Sequence, residues 1–149
     1  MKIATWNINS VRLRIKNILH FIEKNDIDVL CLQETKVINE LFPKKEFADI
    51  GFKHFYYRGE KSYNGVGIIS KIPIKKKIYW NFCNIKEARH LAVLLENNIY
   101  INNLYVPAGG DIPDAKKNPK YKYKIDFMKE IIEFFKIKFK IRNIILGDM

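Results

Sequence analysis

Residues 28–36 read DVLCLQETK, and the apolar run inside them decides the architecture. Residues 29–32 offer no polar alternation, the pattern of a short strand buried on both faces, and Gln33 and Glu34 close it abruptly with polar and ionisable groups. Upstream, residues 2–6 (KIATW) form a second β-compatible stretch that runs into Asn7. Between the two lie Val11, Ile15, Ile18, Leu19 and Ile22 at helical spacing, with Ser10 placed to cap the helix and a stop expected near Asn25. The chain therefore opens as strand, helix, strand, a βαβ-like unit.

Downstream of residue 52 the pattern shifts to short strands. KHFYY (53–57), VGIIS (66–70), LAVLLE (91–96) and IYINNLY (99–105) are separated by the turn signals SYNG, KIP and ENN, which predicts antiparallel sheet. Residues 107–119 carry Gly109, Gly110, Asp111, Pro113 and Asp114 and read as a surface loop. Residues 121–141 predict a long helix with Ile125, Met128, Ile132, Phe135 and Phe139 as its core stripe and Lys136, Lys138 and Lys140 suited to its C-terminal end. NIIL (143–146) reads as a buried strand running into Gly147, Asp148 and Met149.

At 149 residues, with 48% hydrophobic and 29% charged residues, the chain has the makeup of one folded domain. Disorder, collagen-like repeats and a disulfide scaffold are excluded, and Cys31 and Cys83 read as reduced thiols of a cytoplasmic protein. Polar Asn7, Asn9 and Ser10 interrupt the N-terminus where a signal peptide needs its apolar run, and no stretch is long and apolar enough for a membrane span. The net charge of +11 points to a polyanionic partner, with much of the excess carried by lysines of a solvated surface. NINSVR follows the first strand in place of a glycine-rich phosphate loop, which excludes a doubly wound nucleotide-binding domain.

Four strand ends then stand out: Asn7, Glu34, Tyr105 and Asp148. If those ends lie together, the side chains converge at a site backed by rigid sheet. Taken in order, TWNINS, LQETK, YNGVGIIS, YVPAGGDIPD and LGDM resemble the exonuclease III family of AP endonucleases, in the endonuclease/exonuclease/phosphatase superfamily. The resemblance implies an α/β (α+β) fold, a four-layer αββα sandwich of which residues 1–149 form the N-terminal half, a partial domain truncated after GDM. In that fold each half is expected to supply much of one sheet, so a lone half would leave an inner sheet face and a strand edge uncovered.

The resemblance further implies a Mg²⁺-dependent DNA-repair nuclease, with Mn²⁺ as a possible substitute. Its activities are incision 5′ to abasic sites, the strand-breaking step of base excision repair, and 3′ to 5′ removal of nucleotides from double-stranded DNA. Glu34, Asn7 and Asp148 correspond to metal-site positions. Asn7, Tyr105 and Asp148 correspond to catalytic ones: Asn7 beside the scissile phosphate, Tyr105 near it, Asp148 orienting the attacking water. Lys36, Tyr63, Asn64 and Arg89 are DNA-contact candidates, whereas His20, His54 and His90 fall in no matching motif. The sequence departs from the family where the second half, with its further aspartates and histidine, is expected. The 149-residue fragment is therefore expected to be inactive alone, and a partial sequence, a gene remnant or one half of a split enzyme with a separate C-terminal chain all fit. The rivals are another superfamily phosphoesterase and a non-catalytic DNA-binding remnant relying on lysines such as Lys75, Lys76 and Lys77.

Overall fold

The computed structural model describes residues 1–138 and 142–149. Two four-stranded sheets pack face to face. The first has the order β1-β2-β4-β3, built from β1 (Ile3–Asn7), β2 (Val29–Gln33), β3 (His54–Glu60) and β4 (Tyr63–Ser70). The second has the order β5-β6-β7-β8, built from β5 (Ile74–Ile78), β6 (His90–Leu95), β7 (Tyr100–Tyr105) and β8 (Asn143–Asp148). Among the described strands, only β1–β2 and β7–β8 pair in parallel. Each of those pairs is spanned by a helix, α1 (Ile15–Asn25) and α3 (Pro119–Lys138), because a parallel return needs a long crossover.

Strand alternation sorts the side chains into layers. Val29 and Cys31 of β2 and Val66 and Ile68 of β4 face inward and meet Leu91, Val93, Leu95 and Ile101 of the second sheet. Leu30, Leu32 and Ile69 face outward and pack against Ile18 and Ile22 of α1 and Phe47 of α2 (Lys44–Asp49). On the far side, Leu104 and Val106 pack with Phe82 beneath Phe127, Ile131 and Phe134 of α3. The order is helix, sheet, sheet, helix.

The chain thus contributes four strands to each sheet, and the two inner faces cover one another. The expectation of one sheet with an uncovered inner face is corrected, since the chain crosses between sheets after β4. β8 is half-buried rather than buried: it pairs with β7 alone among the described strands and leaves Ile145 exposed.

Other local expectations shift for physical reasons. The first helix begins at Ile15 with Arg14 in the cap position, not directly after a Ser10 cap, because residues 8–11 are tied to the end of β2: the Ile8, Ser10 and Val11 amides donate to the carbonyls of Gln33, Glu34 and Thr35. Ser10, at φ 90°, closes only a turn with Leu13. The SYNG turn sits at residues 61–62, and Tyr63, Asn64 and Gly65 already belong to β4. β5 escaped the reading because IKKKI shows no long apolar run. Its exposed Lys75, Lys76 and Lys77 lie on an edge strand, where lysines discourage pairing with another chain. On α3 the buried stripe is Phe127, Ile131 and Phe134, whereas Ile132 is exposed and Ile125, Met128 and Phe135 are half-buried. Aromatic and aliphatic residues occupy several sides of this helix, so spacing alone selected a neighbouring stripe. Phe139, Lys140 and Ile141 lie outside the described residues. Among the described residues, no helix is long and apolar enough to cross a membrane.

One polar layer interrupts the apolar interface. Asn103, fully buried on β7, donates to the Leu32 and Gly67 carbonyls of the opposite sheet, both at 2.9 Å, and accepts from Gln33 Nε2 at 2.6 Å. Gln33 donates in turn to Thr5 Oγ1 at 3.0 Å. Asn103→Ala removes the acceptor of a buried amide and opens a cavity. A loss of about 2–4 kcal/mol is expected in urea unfolding.

His90 is fully buried under α3, its Nδ1 accepting from the Trp80 amide and its ring beside Phe82 and Phe134. Burial, joined by the nearby Arg58 charge against a weaker opposing hydrogen bond from Nε2 to Asn102 Oδ1, lowers its pKa from 6.5 to about 4. Between those values the unfolded chain binds a proton that the folded chain refuses, so stability falls as pH drops through the window, by up to about 3 kcal/mol. Replacing the ring by a non-titrating amide, His90→Asn, is expected to flatten this dependence of the urea midpoint between pH 6.5 and 4.5.

Candidate active site

Because β1 and β2 run parallel, as do β7 and β8, their C-terminal ends meet at one end of the sandwich. Asn7, Tyr105 and Asp148 close their strands on the inner side of the sheets. Glu34 follows the inward-facing Gln33, so strict alternation would turn it away. Its left-handed backbone, φ 52°, breaks the alternation and returns the carboxylate to the group. Asn7 Nδ2 donates to Glu34 Oε1 at 2.9 Å and to Asp148 Oδ2 at 2.6 Å, and Tyr105 OH donates to the same Glu34 oxygen at 2.8 Å. The four strand ends singled out from sequence form one hydrogen-bonded cluster drawn from both sheets.

Main-chain bonds hold the rim. The Thr35 and Lys36 amides donate to the Gly65 and Asn64 carbonyls, Gly65 to Ala88, Tyr105 to Arg89, and Val106 to Asp148. Gly65, at φ 96°, lies so close to Thr35 that a Cβ would fall 2.1 Å from Oγ1. Gly147, at φ 144°, leaves room for the Leu104 carbonyl, which a Cβ would approach to 1.9 Å. Gly65 of YNGVG and Gly147 of LGDM are thus demanded by close approach, of the Thr35 hydroxyl and of the Leu104 backbone respectively.

Lys36 joins the cluster, with Nζ 2.8 Å from Glu34 Oε2 and a second bond to Asn9 Oδ1. Burial alone would raise the Glu34 pKa, but hydrogen bonds from Asn7, Lys36 and Tyr105 and the Lys36 charge outweigh it and hold the carboxyl below the ordinary glutamate value. Tyr105 is pushed up to about 12, by burial first and then by the Glu34 carboxylate, so its phenol remains a proton donor at neutral pH.

The remaining candidates are placed unevenly. Tyr63 projects into solvent at the rim, 61% exposed. Asn64 is buried, its amide donating to Glu60 Oε2 at 3.1 Å, so only its neighbour presents a side chain outward. Arg89 is buried beside Tyr105 and ion-paired with Glu87. His20 and His54 lie on α1 and β3, and His90 sits on the outer face of the second sheet. Sequence reading missed Asn9, Glu60 and Glu87, which bond to the candidates Lys36, Asn64 and Arg89, and Tyr123, which bonds to Glu87. It also missed Asn103, whose signal was two consecutive asparagines inside an otherwise apolar strand. A cleft of about 290 Å³ bordered by Tyr63, Arg89, Tyr105, Gly109 and Lys120 opens beside the cluster.

The cluster suits a hard divalent cation in its chemistry: two carboxylates, Glu34 and Asp148, and the Asn7 side chain supply oxygen donors, and Mg²⁺ is commonly held by one or two carboxylates with the rest of its shell water. Among the described residues no group of three or more His, Cys, Asp or Glu side chains forms a candidate metal cage.

The chain is similar to known proteins in sequence and in fold. The family model described as endonuclease/exonuclease/phosphatase matches residues 4–134. A DNA-(apurinic or apyrimidinic site) endonuclease of Dictyostelium discoideum is 35% identical over 117 residues, 74% of this chain and 31% of that one. An exodeoxyribonuclease of Bacillus subtilis is 27% identical over 113 residues, 72% of this chain and 43% of that one. The structure of an AP endonuclease from Archaeoglobus fulgidus superposes with a TM-score of 0.88 at 31% identity, covering 99% of this chain and 57% of its own. A 3′–5′ exonuclease from Neisseria meningitidis gives the same TM-score at 28% identity, covering 100% and 57%. The chain spans about a third to somewhat over half the length of these relatives.

Asn7 is the single donor between two carboxylates, so Asn7→Ala should raise the Glu34 pKa by removing a bond to its charged form. A carboxyl ¹³C titration by NMR is expected to show the Glu34 midpoint moving up, with the tertiary fold intact.

Proposed function

We propose that this chain, which belongs to the endonuclease/exonuclease/phosphatase family, provides the acidic catalytic cluster of a DNA-repair nuclease that hydrolyses phosphodiesters at abasic sites and 3′ ends. The observation that carries the reading is the convergence of Asn7, Glu34, Tyr105 and Asp148 from both sheets. Names of relatives support the substrate class: the Dictyostelium protein is an apurinic or apyrimidinic site endonuclease and the Bacillus protein an exodeoxyribonuclease.

Glu34 and Asp148, with the Asn7 side-chain oxygen, are the groups that would hold Mg²⁺ or Mn²⁺. Such an ion, when bound, polarises the phosphodiester and offsets the charge that builds on the leaving oxygen. Asp148, on the second sheet, is the carboxylate that orients the attacking water and takes up its proton. Tyr105, kept protonated, donates a hydrogen bond toward the phosphate oxygens, and Asn7 fixes the spacing of the two carboxylates. Lys36 and the exposed Tyr63 extend this surface toward the DNA backbone, within the field of a chain of net charge +11. Two free thiols, Cys31 buried and Cys83 half-buried, suit a reducing cytoplasmic setting.

Relatives carry substantially more chain than these 149 residues, and catalytic groups that act as a unit lose activity far out of proportion when some are removed. Little or no incision is therefore expected from this polypeptide alone; metal binding and DNA binding are the direct tests. Titration calorimetry with Mg²⁺ and Mn²⁺ is expected to show one class of sites, weakened at least about tenfold by Glu34→Gln, a loss of about 1.4 kcal/mol. Uptake unchanged in both Glu34→Gln and Asp148→Asn sinks the assignment. Robust Mg²⁺-dependent cleavage of an abasic duplex by the pure chain sinks the expectation of inactivity.

A further inference from the structure

We propose that Glu87 and Tyr123 are positioning residues that clamp the Arg89 guanidinium against the ring of Tyr105, so that Arg89 acts through Tyr105 and does not itself grip a DNA phosphate. The proposal builds on the nuclease reading for the importance of Tyr105, while the clamp stands on geometry alone.

An arginine that binds a backbone phosphate presents a free fork of N–H donors to solvent. Arg89 has the opposite surroundings. Its side chain is 9% exposed, and Nε donates to Glu87 Oε2. Nη1 donates to the Tyr105 carbonyl at 3.3 Å, and the guanidinium carbon lies 4.7 Å from the centroid of the Tyr105 ring. Glu87 is fixed from another layer, because the same Oε2 accepts from Tyr123 OH of α3 at 3.1 Å. The relay runs from α3 through Glu87 and Arg89 to the Tyr105 ring, and from the Tyr105 hydroxyl to Glu34 at 2.8 Å.

Backbone bonds bring the same groups together: Tyr105 donates its amide to the Arg89 carbonyl, and Arg89 donates its amide to Glu87. The pairing also nearly cancels the Arg89 charge for an incoming polyanion. What remains is a flat cation on the electron-rich face of a phenol, an arrangement that lysine cannot reproduce. It fixes the ring plane, and with it the direction of the hydroxyl.

Two measurements on the 149-residue chain test the clamp. In NMR spectra, one arginine Nε–H signal is expected to be shifted upfield by the Tyr105 ring, assigned by its return to the ordinary position in Tyr105→Leu. Glu87→Ala should abolish the shift, Glu87→Gln should restore most of it, and Tyr123→Phe should weaken it, with amide signals of β2 and β4 unchanged throughout. Absence of the upfield signal, or its survival in Glu87→Ala, overturns the proposal. In the second, binding to a duplex with a stable abasic analogue is followed against salt for the parent and for the charge-neutral pair Glu87→Gln/Arg89→Gln. A clamp leaves the salt slope within about 0.3 of the parent, whereas a lost phosphate contact lowers it by about 0.9 and overturns the proposal. If the parent chain binds no DNA, the nuclease reading fails, and the arginine signal still decides the clamp.

Discussion

Asn103 is the side chain on which the geometry of this sandwich turns. Two apolar sheet faces adhere strongly but without direction, so hydrophobic contact between Val29, Cys31, Leu91 and Val93 fixes their separation better than their relative sliding. Directed hydrogen bonds supply what that contact lacks. From β7, Asn103 reaches two carbonyls of the opposite sheet and the amide of Gln33, one residue before the site glutamate. Displacing one sheet past the other would strand these buried groups together, each at a cost of about 1–3 kcal/mol. The polar layer is therefore the register device beneath the cluster. It explains how Glu34 from one sheet and Tyr105 from the other stay at hydrogen-bond distance.

Electrostatics at the mouth work against the grain of the whole chain. A surface of net charge +11 surrounds a small acidic centre in which Glu34 and Asp148 share one amide donor. Asn7 intervenes between them, and Lys36 and Tyr105 intervene on the Glu34 side, which is why that carboxyl stays ionised despite partial burial. The basic field draws a polyanion toward the rim, while the acidic centre reserves its oxygens for a cation and a water. Arg89, the cation nearest the Tyr105 ring, is neutralised by Glu87 and so does not compete for those oxygens.

The sequence carried the fold where periodicity and burial coincide. The buried β2, the opening βαβ, the antiparallel hairpins and the four polar strand ends were all legible, because each strand end follows an apolar run that fixes its position. Legibility failed where tertiary contacts override local pattern. Ser10 has the chemistry of a helix cap, but the chain there is recruited by carbonyls at the end of β2. β5 is a strand by pairing with β6 and not by composition. On α3, apolar residues on several sides allow more than one stripe, and only Leu104, Val106 and Phe82 beneath it select Phe127, Ile131 and Phe134. The supporting residues Glu60, Glu87 and Tyr123 belong to no distinct motif and become visible only once the strands bring them to the rim.

Strand direction accounts for why so much of a site can be assembled here. Two parallel pairs deliver four C-terminal ends to one end of the sandwich. Their antiparallel neighbours β4 and β6 necessarily begin there, which sets Tyr63 to Gly65 and Arg89 beside the cluster. The left-handed turn at Glu34 is a local strain, and the glycines at 65 and 147 permit close approaches, that serve this meeting of ends. Gly65 is tied to Ala88, at the edge of the opposing sheet, while Gly147 is pressed against Leu104 of the neighbouring strand in its own sheet. Site and fold are thus mutually dependent, since the bonds that close the rim between the sheets also place the carboxylates, the phenol and the amide.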